Sequence, residues 1–213
     1  MIRLGVLVSG SGTNLQAILD AVAAKKLDAE IAVVVSNVAT AKALDRARGA
    51  GVATAVVEHT RFASRGEFDA ALVEALTTHQ CDYVVLAGFM RLVTPVLLDA
   101  FPMRIVNVHP ALLPAFPGVH AQAQALRYGV RVTGCTVHFV DAGTDTGPIL
   151  AQEVVPVLDD DDEASLTARI LTKEHALLPA ALQWIAEGRV SVDVPLSADR
   201  SSRARVRVRG PRA

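Results

Sequence analysis

Short apolar runs alternate along the first half of the chain with segments whose apolar residues recur every three or four positions. The short runs have the length and composition of buried strands, and the longer segments have the spacing of amphipathic helices. This pattern predicts strands at 2–8, 31–36, 53–57 and 83–87, and helices at 15–24, 41–48 and 65–77. Such alternation is typical of parallel strands joined by right-handed crossovers.

The second half predicts a short helix at 95–100, a strand at 104–108, a helix near 121–128, strands at 132–140 and 149–157, and a long helix at about 163–187. Because few residues separate the last two strands, we expect them to pair antiparallel at one end of the sheet. The pattern therefore predicts an α/β fold, with residues 1–195 as a single domain built on a mostly parallel twisted sheet with helices on both faces. Residues 196–213 are interpreted as an Arg-rich, flexible C-terminal tail.

Composition fits this fold and limits the partners. Of the 213 residues, 51% are hydrophobic, which is enough for a full core, and 20% are charged. The last fourteen residues carry six arginines and no acid, so the rest of the chain holds 15 basic against 22 acidic residues. An acidic body disfavours nucleic-acid binding. The tail alternates like an edge strand but has little apolar bulk, so disorder is predicted, with binding of an anionic ligand as the second interpretation.

The two cysteines and the N-terminal segment bear on the cellular compartment. Cys81 and Cys135 are too few and too far apart in sequence to indicate a disulfide framework or a zinc site, and we interpret both as core or near-core thiols. The apolar start of the chain reaches glycine too soon for a signal peptide, and no run approaches a membrane span. A cytoplasmic protein without a membrane partner is therefore expected.

A glycine-bearing loop, Ser9-Gly-Ser-Gly-Thr-Asn14, joins the first predicted strand to the first helix. At this place backbone amides and a helix N-terminus present partial positive charge to an anion. The loop lacks the third glycine of the dinucleotide fingerprint and the Gly-Lys-Ser/Thr of a P-loop, and Ser36-Asn37 stands where a ribose-binding acid would follow the second strand. A phosphomonoester site is the favoured interpretation, and a plain tight turn is the alternative.

Asn107, His109 and Asp145 are the strongest candidates for chemistry. Asn107 and His109 are two positions apart on a predicted strand, so a hydrogen-bond donor and a titratable imidazole point to the same face. Asp145 follows the next strand in a glycine-bearing loop, where its carboxylate could reach the imidazole, hold its tautomer and favour its charged form. An ordered loop with three prolines, at 110–118, would form a wall of the site. The alternative is a core or surface histidine whose hydrogen bonds are satisfied and which has no catalytic role.

The acidic run at 159–163 is a weaker candidate, for metal binding. It directly precedes a predicted helix, and the first turn of a helix favours negative charge. We therefore interpret the run as a helix cap and expect no metal. His120 and His138 are candidates only for supporting roles around the imidazole of His109.

Five motifs together resemble a known family, the folate-dependent phosphoribosylglycinamide formyltransferases. They are Ser9-Gly-Ser-Gly-Thr-Asn14, Leu86-Ala-Gly-Phe-Met-Arg91, Asn107-Val-His-Pro110, Leu112-Leu-Pro114 and Asp141–Gly147, and the likeness covers about residues 2–188. The resemblance implies a Rossmann-like formyltransferase fold. It also implies transfer of a formyl group from 10-formyltetrahydrofolate to the glycinamide amine of a ribonucleotide, phosphoribosylglycinamide, in de novo purine synthesis. A homodimer is suggested by the resemblance alone.

The resemblance also assigns substrate-binding residues. For the ribonucleotide they are Gly12, Thr13 and Asn14, which would bind the phosphate, and Leu171, Thr172, Lys173 and Glu174 on the long helix, with Glu174 near the glycinamide end. For the folate they are Arg65, Met90, Arg91, Leu92, Val93, Asn107, Asp141, Ala142, Gly143, Thr144 and Asp145. A core role for Met90 and Leu92 is the alternative, because apolar folate walls and cores use the same residues. Glu174 taken alone is equally compatible with a structural role.

Two positions depart from the family pattern. Ala111 stands where serine commonly follows His-Pro, which removes one hydroxyl beside the site. Ala115 stands where a basic residue often follows Leu-Leu-Pro, which weakens the expected contact with an anionic group. Neither change touches Asn107, His109 or Asp145.

The expected mechanism is attack of the amine on the formyl carbon, with Asn107 and protonated His109 stabilising the oxyanion and a water relaying the proton to the departing folate nitrogen. Three other functions compete with this one. A formyl-folate hydrolase would use much the same triad, but chains of that type carry an extra N-terminal domain, and here the first strand starts at Ile2. A formylase of initiator aminoacyl-tRNA would need a second, basic domain. A noncatalytic phosphometabolite-binding domain would need the glycine loop without the triad.

Overall fold

A computed structural model describes residues 1–193 and 204–210 of the chain. The sheet strands are β1 (Ile2–Val8), β2 (Ala29–Ser36), β3 (Thr54–Val56), β4 (Tyr83–Leu86), β5 (Ile105–His109), β6 (Val132–Phe139) and β7 (Ile149–Pro156), and their order is β3-β2-β1-β4-β5-β6-β7. The helices are α1 (Thr13–Ala23), α2 (Lys42–Gly49), α3 (Arg65–Thr78), α4 (Pro95–Ala100), α5 (Ala121–Tyr128) and α6 (Glu163–Ala186).

This seven-stranded, mostly parallel sheet flanked by helices confirms the predicted α/β class. The predicted strands and helices all exist, with ends that differ by one or two residues. The antiparallel pairing expected for the last two strands is confirmed in β6 and β7. By its internal contacts the chain divides into two compact units, Met1–Asn107 and Val108–Ala213.

The first unit is built around β1. It pairs in parallel with β2 on one side and β4 on the other, and β3 and β5 extend the parallel ladder. Leu4, Val6 and Leu7 on β1 are fully buried, because a strand inside a parallel sheet is covered on both faces. The loops that carry the candidate substrate residues follow the carboxyl ends of these strands. In open α/β sheets, ligands usually bind at that edge.

In the second unit α6 packs on β6 and β7. Its N-terminus confirms that the acidic run caps the helix: the Asp162 carboxylate accepts the Ser165 amide N–H at 2.7 Å, and the Asp162 amide N–H donates to the Ser165 hydroxyl oxygen at 3.1 Å. Asp161 is paired with Arg169 at 2.6 Å, and the guanidinium hydrogen bonds hold the pKa of Asp161 far below its usual range. Within residues 1–193 and 204–210, no cluster of three or more metal-binding side chains occurs.

The Arg-rich tail differs in part from its predicted disorder. Arg205–Val208 form a strand, β9, that pairs antiparallel with β8 (Val190–Asp193), and the Arg209 amide donates to the Arg189 carbonyl at 3.0 Å. Backbone hydrogen bonds need no apolar bulk, which is why composition did not reveal this hairpin. Residues 194–203 and 211–213 lie outside the described residues, so the flexibility expected there, and the boundary between 1–195 and 196–213, stay predictions.

Both cysteines are core or near-core thiols, as predicted. Cys135 is fully buried and Cys81 is partly buried. Burial raises the pKa of Cys135 to about 12, with a further contribution from the nearby Glu174 carboxylate, and raises that of Cys81 to about 11. Among the residues described by the structure, no helix is both long and apolar enough to cross a membrane.

Candidate active site

His109 is the last residue of β5, and its ring is almost entirely buried. Its Nε2 atom lies 2.8 Å from the carbonyl oxygen of Phe116, and its Nδ1 atom lies 3.4 Å from Oδ2 of Asp145. A carbonyl can only accept, so Nε2 carries a hydrogen. The other nitrogen faces the Asp145 carboxylate, which can accept a hydrogen from it. The contact between His109 and Asp145 that the sequence predicted is therefore present.

The Pro-containing loop after β5 supplies two backbone groups to this cluster. Besides the Phe116 carbonyl, the Gly118 amide donates to Asp145 Oδ2 at 2.7 Å. Phe116 has a φ of 53° and Asp145 also has a φ of 53°, a left-handed conformation that non-glycine residues adopt at an energetic cost. Sequence reasoning identified this loop as a wall but not these backbone contacts, because a carbonyl or an amide has no residue-type signature.

A second histidine faces the same carboxylate. His138 on β6 is buried; its Nδ1 donates to the Phe139 carbonyl at 2.9 Å, and its Nε2 lies 3.7 Å from Asp145 Oδ1. Burial lowers the pKa of His138, although the Phe139 carbonyl and the Asp145 carboxylate act in the opposite direction. The one carboxylate is therefore faced by two imidazole rings. His120, the other candidate for a supporting role, is the exposed N-cap residue of α5.

Thr136 holds the start of the loop that follows His109. Its buried hydroxyl donates to the Ala111 carbonyl at 2.6 Å and accepts both the Leu113 amide and the Gln152 side-chain amide at 3.0 Å. A hydroxyl offers one hydrogen and two lone pairs, so all of its capacity is used. Of the two departures from the family pattern, Ala111 is buried beneath this hydroxyl, and Ala115 is exposed.

The loop that carries Asp145 has an internal scaffold of its own. The Asp141 carboxylate accepts the Gly143 amide at 3.1 Å and the Thr146 hydroxyl at 2.6 Å. Ala142, Gly143 and Thr144 are exposed at the tip. These candidate folate residues are therefore accessible, while Asp145 at the base is directed to the two histidines.

The segment 171–174 on α6 presents polar groups of two kinds. Glu174 is only 4% exposed, whereas Thr172 and Lys173 are exposed and Leu171 is half-buried. The Lys173 ammonium lies 3.6 Å from the Glu153 carboxylate on β7. The structure thus places a buried carboxylate and an exposed cation next to each other on one helix.

In the first unit, the glycine loop has the form of an anion cradle. Gly12 is the N-cap of α1 with a φ of 71°, Thr13 begins the helix, and Asn14 is buried in its first turn. A Cβ on Gly12 would lie 2.6 Å from Cβ and 2.7 Å from Cα of Ala43, so only glycine fits. The Arg46 guanidinium donates to the Ser11 carbonyl at 2.8 Å, which brings positive charge to the loop.

A cavity of about 180 Å³ in the same unit brings Arg65 and Arg91 together. The lining is completed by aromatic and small residues that sequence reasoning did not select: His59, Phe62, Ala63, Ser64 and Phe68. Met90 and Leu92 are 73% and 59% exposed, so the core interpretation of these two residues is wrong. Val93 is half-buried, next to them in the loop between β4 and α4.

Residues 2–182 match the family model described as formyl transferase. The chain belongs to the formyl transferase family. It is 43% identical over 187 residues to a phosphoribosylglycinamide formyltransferase of Escherichia coli, with 88% of each chain covered, and 49% identical over 190 residues to that of Mycobacterium tuberculosis, with 89% of this chain and 87% of that one covered.

The chain is also similar to a longer relative and to a solved structure. The chain is 45% identical over 197 residues to the trifunctional purine biosynthetic protein adenosine-3 of Drosophila melanogaster, but it spans only 15% of that protein. The crystal structure of glycinamide ribonucleotide transformylase 1 from Symbiobacterium toebii superposes with a TM-score of 0.92 at 52% identity, covering 98% of this chain and 94% of that one. The chain is therefore an enzyme, a one-carbon transferase of the formyltransferase type.

Proposed function

We propose that this formyltransferase moves the formyl group of 10-formyltetrahydrofolate to the amine of phosphoribosylglycinamide, a step of purine biosynthesis. The observation that carries the proposal is the imidazole of His109, held between the Phe116 carbonyl and the Asp145 carboxylate at the end of β5. Relatives that bear this activity in their names match nearly their whole length, which supports the choice of acceptor.

The chemistry that this geometry supports is stabilisation of an oxyanion. When the amine attacks the formyl carbon, a C–N bond forms and negative charge develops on the formyl oxygen. Protonated His109 and the side-chain amide of Asn107, two residues earlier on β5, would donate to that oxygen. Of the two contacts of the His109 ring, the one from Nδ1 to Asp145 is the looser at 3.4 Å, so Nδ1–H is the donor that the oxyanion can share.

Asp145 would keep His109 charged through this step. The intermediate then collapses as the bond from carbon to the folate nitrogen breaks, and the proton lost by the attacking amine passes through a water to that nitrogen. The Gly118 amide, which donates to Asp145 at 2.7 Å, holds the carboxylate in place meanwhile. No step requires a metal or a nicotinamide.

The ribonucleotide would be bound by two segments. The amides of Gly12, Thr13 and Asn14 at the N-terminus of α1 suit its phosphate. Leu171, Thr172 and Lys173 on α6 would contact the remainder, and the buried carboxylate of Glu174 would meet the glycinamide amine, since a buried carboxylate favours a cationic or hydrogen-donating partner.

The folate would be bound by the cavity and the two loops. Arg65 and Arg91 suit its anionic tail, because both guanidinium groups line one cavity. The exposed apolar side chains of Met90 and Leu92, with Val93, suit its ring system. The loop from Asp141 through Ala142, Gly143 and Thr144 to Asp145 would close over it. A cytoplasmic location and a homodimer, without nucleic-acid or membrane partners, complete the proposal.

Turnover with a defined acceptor tests the function. Purified protein is incubated with 10-formyltetrahydrofolate, or its 10-formyl-dideaza analogue, with and without the ribonucleotide, and release of the deformylated folate is followed by absorbance. We expect release that depends on the acceptor, and a fall on the order of 10²–10³-fold in His109→Ala, the loss typical of one oxyanion donor. His79→Ala is the control, because His79 is the C-cap residue of α3 in the first unit and its ring bonds the Ala75 carbonyl of the same helix.

The other outcomes separate the competing functions. Release without acceptor would identify a formyl-folate hydrolase. No release from a folded protein that still binds the ribonucleotide would support a noncatalytic binding domain, or a transferase for another amine. Either result would reject the proposed acceptor.

A further inference from the structure

Ser9 connects two parts of the first unit that the proposed function assigns to different substrates. Its amide donates to the Gly88 carbonyl at 3.1 Å, and its hydroxyl oxygen accepts the Met90 amide N–H at 2.9 Å. Ser9 is the first residue of the glycine loop, and Met90 is the first residue of the segment proposed to meet the folate. Two hydrogen bonds of one residue therefore fix the loop and the segment to each other.

Asn37 sets the direction of the Ser9 hydroxyl. Since that oxygen accepts from Met90, its hydrogen is directed elsewhere, and it donates to Asn37 Oδ1 at 2.6 Å. Asn37 Nδ2 carries only hydrogens, so it donates in turn to Nδ1 of His59 at 3.2 Å, which assigns the hydrogen of the neutral ring to Nε2. These four groups, the Met90 amide and the side chains of Ser9, Asn37 and His59, form what we term the Ser9 relay.

The relay ends in the wall of the cavity that holds the two arginines. His59 lines that cavity together with Arg65 and Arg91, and its ring packs edge-on against Phe68 with centroids 6.2 Å apart. Arg91 directly follows Met90, so the candidate folate segment is fixed at Met90 by Ser9 and contributes its next side chain to the cavity. A displacement of the segment would therefore disturb the relay at its Met90 end and at its His59 end, where Arg91 and His59 line the same cavity.

We propose that Ser9 is a positioning residue that couples the two substrate sites. A phosphate bound at the glycine loop and a folate bound at the segment stabilise the same arrangement of the Ser9 relay, so each ligand raises the affinity for the other. This inference rests on the proposed function, which assigns the two ligands. Couplings between sites are typically about 5- to 150-fold in affinity, and linkage requires the factor to be equal in both directions.

Calorimetric titration of the full chain tests the coupling. The Kd of the ribonucleotide is measured with and without saturating dideazafolate, which carries no formyl group and cannot react, and the Kd of dideazafolate is measured with and without the ribonucleotide. We expect a factor of about five or more in both directions in the unmodified protein, and a factor near unity in Ser9→Ala. If Ser9→Ala only damaged the local structure, both ligands would bind more weakly, but the ratio of the Kd values with and without the other ligand would be unchanged. Ser9→Thr, which keeps the hydroxyl, should restore it.

Ser36→Ala is the matched control. Ser36 precedes Asn37 and also carries a buried hydroxyl, but its two hydrogen bonds join it only to the backbone of Val38, at 2.8 and 3.1 Å. The coupling factor should survive in this variant. If both ligands bind but do not affect each other, or if Ser9→Ala keeps the factor, the coupling is overturned and the proposed function stands. If neither ligand binds the folded protein, the proposed function fails and the coupling with it.

Discussion

Oδ2 of Asp145 lies 3.4 Å from Nδ1 of His109 and accepts the Gly118 amide at 2.7 Å. The bond from the Gly118 amide is the shorter of the two. The loop backbone therefore holds the carboxylate in place beside the imidazole. The same residue faces the ring of His138 at 3.7 Å. One carboxylate therefore faces two imidazole rings, and His109 is the nearer of the two.

Replacing Asp145 by asparagine should remove the carboxylate that faces His109. We expect kcat to fall on the order of 10²-fold, as for loss of an acid–base partner, and the pH profile of the rate to change, because the charged partner of the ring is lost. The measurement is the pH profile of acceptor-dependent folate release. Asp160→Asn removes an equal charge from the exposed run before α6 and should leave the profile unchanged. An unaltered rate and profile in Asp145→Asn would contradict the pairing.

The sequence predicted what depends on residue type and period. Strands and helices were placed to within two residues because apolar periodicity is a local property. The strand predicted at 104–108 lies one residue later, at Ile105–His109, and ends directly before Pro110. The pair of His109 and Asp145 could be proposed because an imidazole and a carboxylate are recognisable in a sequence.

What the sequence missed depends on backbone groups and on contacts between distant loops. The Phe116 carbonyl and the Gly118 amide have no signature in residue identity, although the prolines around them indicated an ordered loop. The bond between Ser9 and Asn37 joins residues 28 positions apart, and periodicity carries no information about such a pair. The β9 strand was missed because its pairing is made by main-chain bonds rather than by apolar side chains.

His138 should make the stability of the fold sensitive to mild acid. Burial lowers the pKa of His138 below its ordinary value of 6.5, so the unfolded chain binds a proton at a higher pH than the folded protein does. The stability that the neutral ring of His138 contributes is fully present above pH 6.5. It is lost as the pH falls toward the pKa of the ring in the folded state. The free energy of unfolding, measured by urea denaturation at pH 7.5 and pH 5.5, should fall less in His138→Gln than in the unmodified protein.

The histidines elsewhere in the chain control this measurement. His175 is half-buried, and burial lowers its pKa too, so His175→Gln should also reduce the dependence on pH. If the free energy of unfolding fell equally with pH in the unmodified protein and in His138→Gln, the buried ring would not resist protonation.

Gly12→Ala should weaken both the fold and the phosphate site. The new Cβ would meet Cα and Cβ of Ala43 at 2.7 and 2.6 Å, and a φ of 71° disfavours alanine, so we expect a loss of about 1–3 kcal/mol of stability and a raised KM for the ribonucleotide. Gly10→Ala is the control for stability, because its Cβ would meet no atom within 4 Å and its φ is not positive. Thermal melting of the two variants should therefore differ clearly, and equal melting temperatures would contradict the steric account.

Thr136→Val should uncouple the loop after His109 from the sheet. The substitution keeps the shape of the side chain but removes the hydroxyl that bonds the Ala111 carbonyl, the Leu113 amide and the Gln152 side chain. Leaving these buried groups without a partner should cost about 1–3 kcal/mol in the free energy of unfolding. Because the same loop carries the Phe116 carbonyl to Nε2 of His109, kcat should fall as well, while the KM for the folate changes little.

Thr133→Val is the matched control for this last prediction. Thr133 lies on the same strand and is also buried, but its hydroxyl has no hydrogen-bond partner within the described part of the chain. A buried hydroxyl without a partner costs free energy, so replacing it by a methyl group should be neutral or stabilising. The two substitutions are chemically identical and differ only in the bonds they remove. If both variants lost the same stability and kcat, the loss would belong to the hydroxyl-to-methyl change itself, and the Thr136 network would not position the loop.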